Sequence, residues 1–180
     1  QEGSYLIKFK ATDKLGNLIE LSLPTLYYDK ADPSIELQVA VPDKIGSGSV
    51  SVGVNLKDSN ELKSLIVSFV KKANNAESWK GEENISGKTN SKTIVLDSTK
   101  FTKGDGLYLL RIECKDVAEK TKVFEKEIWY DATAPTLSVP TNLPTWINTK
   151  THKVEGTVVD GVGGVGVKIV KCKVNDGAEQ

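Results

Sequence analysis

The 180-residue sequence predicts an all-β protein built of β-sandwich modules in tandem, on three observations. Apolar residues alternate with polar ones over much of the chain, the period of a half-buried strand. A set of residues returns after about a hundred positions, the length of one small domain. Turn signals recur every ~8–12 residues while helix signals are nearly absent.

The repeat sets the domain organisation. Tyr5 aligns with Tyr108 and Asp13 with Asp116, both at an offset of 103. Past the following turn, Tyr28-Asp29 aligns with Tyr130-Asp131 and Pro33 with Pro135, at an offset of 102. One residue is therefore lost between the copies, and a position inside or just after the tight turn is expected, where indels cost least. Asp58 and Asp160, each following an apolar run, are also 102 apart. This register predicts the C-terminal part of one module over 1–33, a complete module over 34–135 and the N-terminal part of a third over 136–180. The boundaries fall at Asp32-Pro33 and Ala134-Pro135, where proline biases the preceding residue toward extended backbone.

Within the middle module the strands follow in order. Ile35, Leu37, Val39 and Val41 alternate with Glu36, Gln38 and Ala40. Val50, Val52, Val54 and Leu56 resume the alternation after the Gly46-Ser47-Gly48 turn. Leu62 to Phe69 is a third apolar stretch, its period blurred by Leu65-Ile66-Val67. Residues 73–90 are polar, with Trp79 as the one large apolar side chain, and read as an irregular strand plus loop. Thr93 to Leu96 is a short strand. Tyr108, Leu110, Ile112 and Cys114 share one face of the next, and Val123 to Tyr130 closes the set. Seven short strands of this kind predict an immunoglobulin-like Greek-key β-sandwich.

The run Gly-x-Tyr, alternating apolar residues, Asp, a turn, a strand ending Tyr-Asp and a short linker into Pro resembles bacterial immunoglobulin-like repeats of surface and secreted proteins. The first copy keeps Asp13-Lys14-Leu15-Gly16-Asn17, similar to the Asp-x-x-Gly-Asn turn of those repeats. The second has Asp116-Val117-Ala118-Glu119-Lys120, for which a differently built turn is expected. Gly156-Thr157-Val158-Val159-Asp160 resembles their second strand, and Tyr108 their tyrosine-corner position. The resemblance implies stalks, spacers and adhesins at the bacterial envelope or outside the cell. Its expected partners are adjacent modules of the same chain, and a host or envelope protein or a glycan.

Composition narrows the alternatives. Lys plus Arg and Asp plus Glu both total 24, a balance that argues against a nucleic-acid binder. No apolar run reaches the ~18–20 residues of a membrane span, so no membrane insertion is expected in this segment. One His and two Cys all but exclude a nitrogen–sulfur metal site. Arg111 is the single arginine, and lysine is the poorer residue for bidentate anion recognition. The absence of Met is expected of a processed or excised piece of a longer protein.

No enzyme is expected. Gly161-Val162-Gly163-Gly164-Val165-Gly166 satisfies the dinucleotide pattern, but a strand-forming segment follows it where that chemistry needs a helix N-terminus. His152 stands without a nucleophile or an orienting partner in its spacing. Glu82-Glu83 and Glu125/Glu127 read as solvated surface charge. Cys114 and Cys172 fall in different modules and read as buried free thiols. Asn84-Ile85-Ser86 matches a glycosylation acceptor, which carries little weight in a protein of the bacterial kind that the resemblance implies.

Two candidate sites remain. Calcium requires several oxygen ligands, and carboxylates recur at the module junctions as Asp29, Asp32 and Asp131, with Asp13 and Asp116 in nearby turns. Trp79, among Asn74, Asn75 and Asn84, is a candidate sugar-stacking platform. The main expectation is a non-catalytic spacer or adhesin module. The alternative is a carbohydrate-binding accessory module of a large secreted enzyme.

Overall fold

A computed structural model describes residues 2–173, and every element in it is a β-strand. They are β1 (Gly3–Tyr5), β2 (Lys8–Thr12), β3 (Leu18–Ser22), β4 (Leu26–Tyr28), β5 (Ser34–Leu37), β6 (Lys44–Ile45), β7 (Val50–Lys57), β8 (Leu62–Lys71), β9 (Ala76–Asn84), β10 (Thr89–Leu96), β11 (Gly106–Asp116), β12 (Thr121–Tyr130), β13 (Thr136–Ser138) and β14 (Thr157–Val159). Strands β5 to β12 form two sheets, ordered β10-β7-β5 and β6-β12-β11-β8-β9. All pairings are antiparallel except that of β6 with β12.

The alternating residues of the middle segment supply one core shared by both sheets. Val52, Val54 and Leu56 of β7 and Leu96 of β10 meet Phe69 of β8, Leu110, Ile112 and Cys114 of β11 and Ile128 of β12, all fully buried. At one end of this core the aromatic rings interlock. Phe101 stacks on Tyr130 at 4.4 Å and meets Phe69 and Tyr108 edge-on at 5.2 and 5.1 Å. Such pairs add to burial through their ring quadrupoles.

Tyr108 is fully buried, and its hydroxyl donates a 2.6 Å hydrogen bond to the Gly104 carbonyl four residues upstream. Tyr108→Phe keeps the ring and orphans that carbonyl. A loss of about 1–2 kcal/mol in unfolding free energy by urea denaturation is expected. An unchanged midpoint would show that the hydroxyl contributes nothing.

Several elements differ from the sequence reading. The strand expected over 35–41 is shorter. β5 pairs with β7 as far as Leu37, one more bond runs from Gln38 N–H to the Gly53 carbonyl, and residues 39–41 lie outside any strand. The chain then crosses to the other sheet, where β6 runs parallel to β12. The polar stretch at 73–90 is, as expected, an irregular strand plus a loop: the nine-residue β9 lies on the outer edge of the larger sheet with a register shift opposite Phe69 and Val70. An edge strand with one face in water has no need of an apolar sequence.

The turn after β11 is likewise a correction. Asp116 N–H bonds the Lys120 carbonyl, Glu119 N–H bonds the Asp116 carbonyl, and Lys120 N–H bonds Asp116 Oδ1. Asp13, Gly16 and Asn17 make the same three bonds after β2. Glu119, with φ of 67°, takes the left-handed conformation that Gly16 takes at 90°. Its carboxylate pairs with Lys63 and Lys115.

Pairing also locates the residue lost between the copies. Lys8↔Ser22 matches Arg111↔Glu125 at an offset of 103 on both strands, whereas Leu26, opposite Tyr5, matches Ile128, opposite Tyr108, at 102. The extra residue therefore lies at 23–25, beyond the turn, where Pro24 splits into β3 and β4 what β12 spans unbroken. Toward the other end, Thr136↔Val159, Leu137↔Val158 and Ser138↔Thr157 repeat the pairs Ser34↔Lys57, Ile35↔Leu56 and Glu36↔Asn55 with every residue displaced by 102.

Candidate metal centre

Three strand ends meet where the chain enters the two-sheet unit. Asp29 follows β4, Asp58 follows β7, and Asp116 is the last residue of β11. One carboxylate oxygen of each lies within 4.8 Å of the other two. The segment between Asp29 and β5 packs against the unit, since Pro33 is fully buried and Lys120 Nζ donates to the Ala31 carbonyl at 3.4 Å.

Each of the three side chains is held in the same manner. Asp29 Oδ1 accepts the Ala31 N–H at 3.0 Å, Asp58 Oδ1 the Asn60 N–H at 2.7 Å, and Asp116 Oδ1 the Lys120 N–H at 2.9 Å. The short aspartate side chain favours such local bonds at strand ends. The other oxygen, Oδ2, is buried without a hydrogen-bond partner in all three. Nδ2 of Asn60 is orphaned in the same way. Burial pushes the Asp116 carboxyl above its ordinary range, and the charges of Asp58 and Asp29 push it further. Carboxylates gathered out of water without a counter-charge are costly, so a proton or a cation is needed to balance them.

Of the residues expected to hold calcium, Asp29 belongs to this cluster and Asp32 does not; Asp32 is exposed beside it. Asp131 lies at the opposite end of the unit, because the 11-residue β11, about 35 Å long, separates Asp116 from Gly106, the partner of Tyr130. There Asp131 Oδ2 accepts the Val165 N–H at 2.8 Å, while its Oδ1 is buried and unpaired. Asp58 is not legible as a junction acid, because it lies 29 residues from Asp29 and 58 from Asp116 along the chain. A signal for it did exist, since Asp58/Asp160 and Asp13/Asp116 are fixed points of the repeat register.

Trp79 is half-buried on β9. Its ring lies 6.1 Å from Phe69, and the Lys100 amine stands 3.8 Å over it. The ring is thus engaged by the core on one flank and by a cation on its face. Glu83, Glu125 and Glu127 pair with Lys92, Arg111 and Lys72. Residues 161–166 form a turn closed by Gly164 N–H on the Gly161 carbonyl. The expectation of a buried Cys172 is corrected: it is exposed, in a stretch that packs no sheet over it among the described residues, whereas Cys114 is buried as expected.

No family model and no curated protein matches the chain. Among solved structures, a β-glucosidase from Listeria innocua in complex with glucose is similar over 59% of this chain and 17% of its own, at 18% identity and a TM-score of 0.38. The same enzyme's complex with isofagomine gives the same values. The chain thus spans about a sixth of the length of the enzyme it matches.

Proposed function

We propose that the chain is a run of immunoglobulin-like Greek-key β-sandwich modules in tandem, from a bacterial cell-surface or secreted protein. Its role is that of a non-catalytic stalk or spacer. Two features of the architecture support the fold reading: the strand order of the two sheets, and the recurrence of strand pairs at 102–103 residues on both sides of the complete unit. The observation that carries the function is the joint at 29–33. Pro33 is fully buried and Ala31 is held by Lys120, so the segment that enters the two-sheet unit is packed against it and is not a free tether. A series of such joints gives a rod, which suits a part that holds another domain away from a surface.

Glycan and matrix-protein arrays probed with the full chain test the reading. A spacer is expected to give no saturable signal. A saturable glycan hit abolished by Trp79→Ala would overturn it in favour of a carbohydrate-binding module.

A further inference from the structure

We propose that Asp29, Asp58 and Asp116 bind a calcium-class divalent cation that ties the incoming segment to the two-sheet unit. The inference rests on the side chains and not on the spacer reading, and it holds whatever the parent protein does.

The first ground is the state of Asp116. Its side chain has 0% exposure, one oxygen is fixed by the Lys120 N–H, and the other meets no donor. A fully buried carboxylate oxygen facing two more carboxylates has lost water and gained nothing in exchange. A divalent cation supplies what all three orphaned Oδ2 atoms lack. The Oδ1 atoms already spend themselves on the backbone, which orients the carboxylates before any ion arrives and reduces the ordering cost of binding.

The second ground is size and chemistry. Two oxygens bound to one calcium ion stand at most about 4.6–5.2 Å apart, twice the usual calcium–oxygen distance. The three carboxylate oxygens lie within 4.8 Å of one another, close enough to share one such ion. All three donors are hard oxygens, the preference of calcium and not of zinc or copper.

The third ground is recurrence. Asp29 has its counterpart in Asp131, Asp58 in Asp160 and Asp116 in Asp13, so each member stands at a repeating position. Near the second joint, Asp131 bonds the Val165 N–H while Asp160 bonds the Gly161 and Gly166 N–H groups of the same loop. The two acids are thus brought to one loop again. Asp29 belongs to the preceding segment, and the other two acids to the unit that follows. An ion here bonds across the joint.

The test is calorimetric titration of the full chain with calcium chloride, and its thermal unfolding in EDTA and in 10 mM calcium. Saturable binding is expected, with a dissociation constant of about 0.1–1 mM as in extracellular modules and a rise in Tm of about 5–15 °C. Asp58→Asn and Asp116→Asn are each expected to reduce the rise to less than half, and Asp32→Asn to leave it intact. Removing a buried charge can itself raise the Tm in EDTA, so the readout is the calcium-dependent increment in each variant. The proposal is overturned by the absence of binding and shift at 10 mM calcium, or by an Asp58→Asn increment above half the wild-type value.

Discussion

Phe69→Ala is expected to lower the unfolding free energy by about 3–5 kcal/mol, a large share of the roughly 5–15 kcal/mol that holds a domain of this size. Phe69 has 0% exposure and joins the strands of the larger sheet to the aromatic group of Phe101 and Trp79. Truncation removes its transfer energy, leaves a cavity and strips two rings of a neighbour. Rigid strands on both sides limit how far the site collapses. Phe69→Leu retains most of the volume and is expected to cost about half as much. Equilibrium denaturation in urea reads both. Equal and small effects would mean that the aromatic group is not cooperative with the core.

The second large effect concerns the thiols. Cys114 has 0% exposure in the core, whereas Cys172 is exposed. Burial, with the charges of Asp58 and Asp116, also pushes the Cys114 thiol from its ordinary 9.0 to about 11. Because the thiolate is the reactive form, two pKa units alone slow alkylation about 100-fold, and the need for the core to open slows it further. Iodoacetamide at pH 8 is therefore expected to modify one thiol per chain promptly, at Cys172. The second follows more than 100-fold later, or at once in denaturant. Two thiols of equal rate in the folded chain would contradict the burial of Cys114.

Much of the fold is legible in the sequence where packing and period coincide. Val52, Val54 and Leu56 alternate because β7 has one buried face, and Tyr108 through Cys114 alternate for the same reason on β11. Legibility fails where burial is absent or where distant residues decide. β9 lies at an edge, so its sequence of Glu, Ser, Lys and Gly carries little apolar signal. The break before β6 depends on which sheet the chain can pair with past Pro42, and no local window contains that information. Glu119 hides a turn that shares three hydrogen bonds with one that announces itself with Gly16.

The candidate site shows the same division. Asp29 was marked by its place before a proline joint. Asp58 and Asp116 reach it through β7 and β11, whose ends the sheets bring together. Composition at the joint cannot reveal a ligand set drawn from three separate stretches of chain. The repeat register could, because it marks positions whose chemistry is retained while neighbouring residues change.

The parallel pairing of β6 with β12 has a mechanical consequence. β6 lies near the start of the two-sheet unit and β12 at its end, and they run side by side through Trp129↔Lys44 and Tyr130↔Ile45. Bonds from Trp129 N–H to the Asp43 carbonyl at 2.9 Å and from Asp131 N–H to the Ile45 carbonyl at 3.0 Å fasten them. Tension drawn through the two chain ends pulls these neighbours in opposite directions along their length. The fasteners are then loaded together in shear, and neither yields before the other as in a zipper opened from one end. A patch of two residues thus carries the load between the two ends, together with the β5–β7 pairs that precede it along the chain.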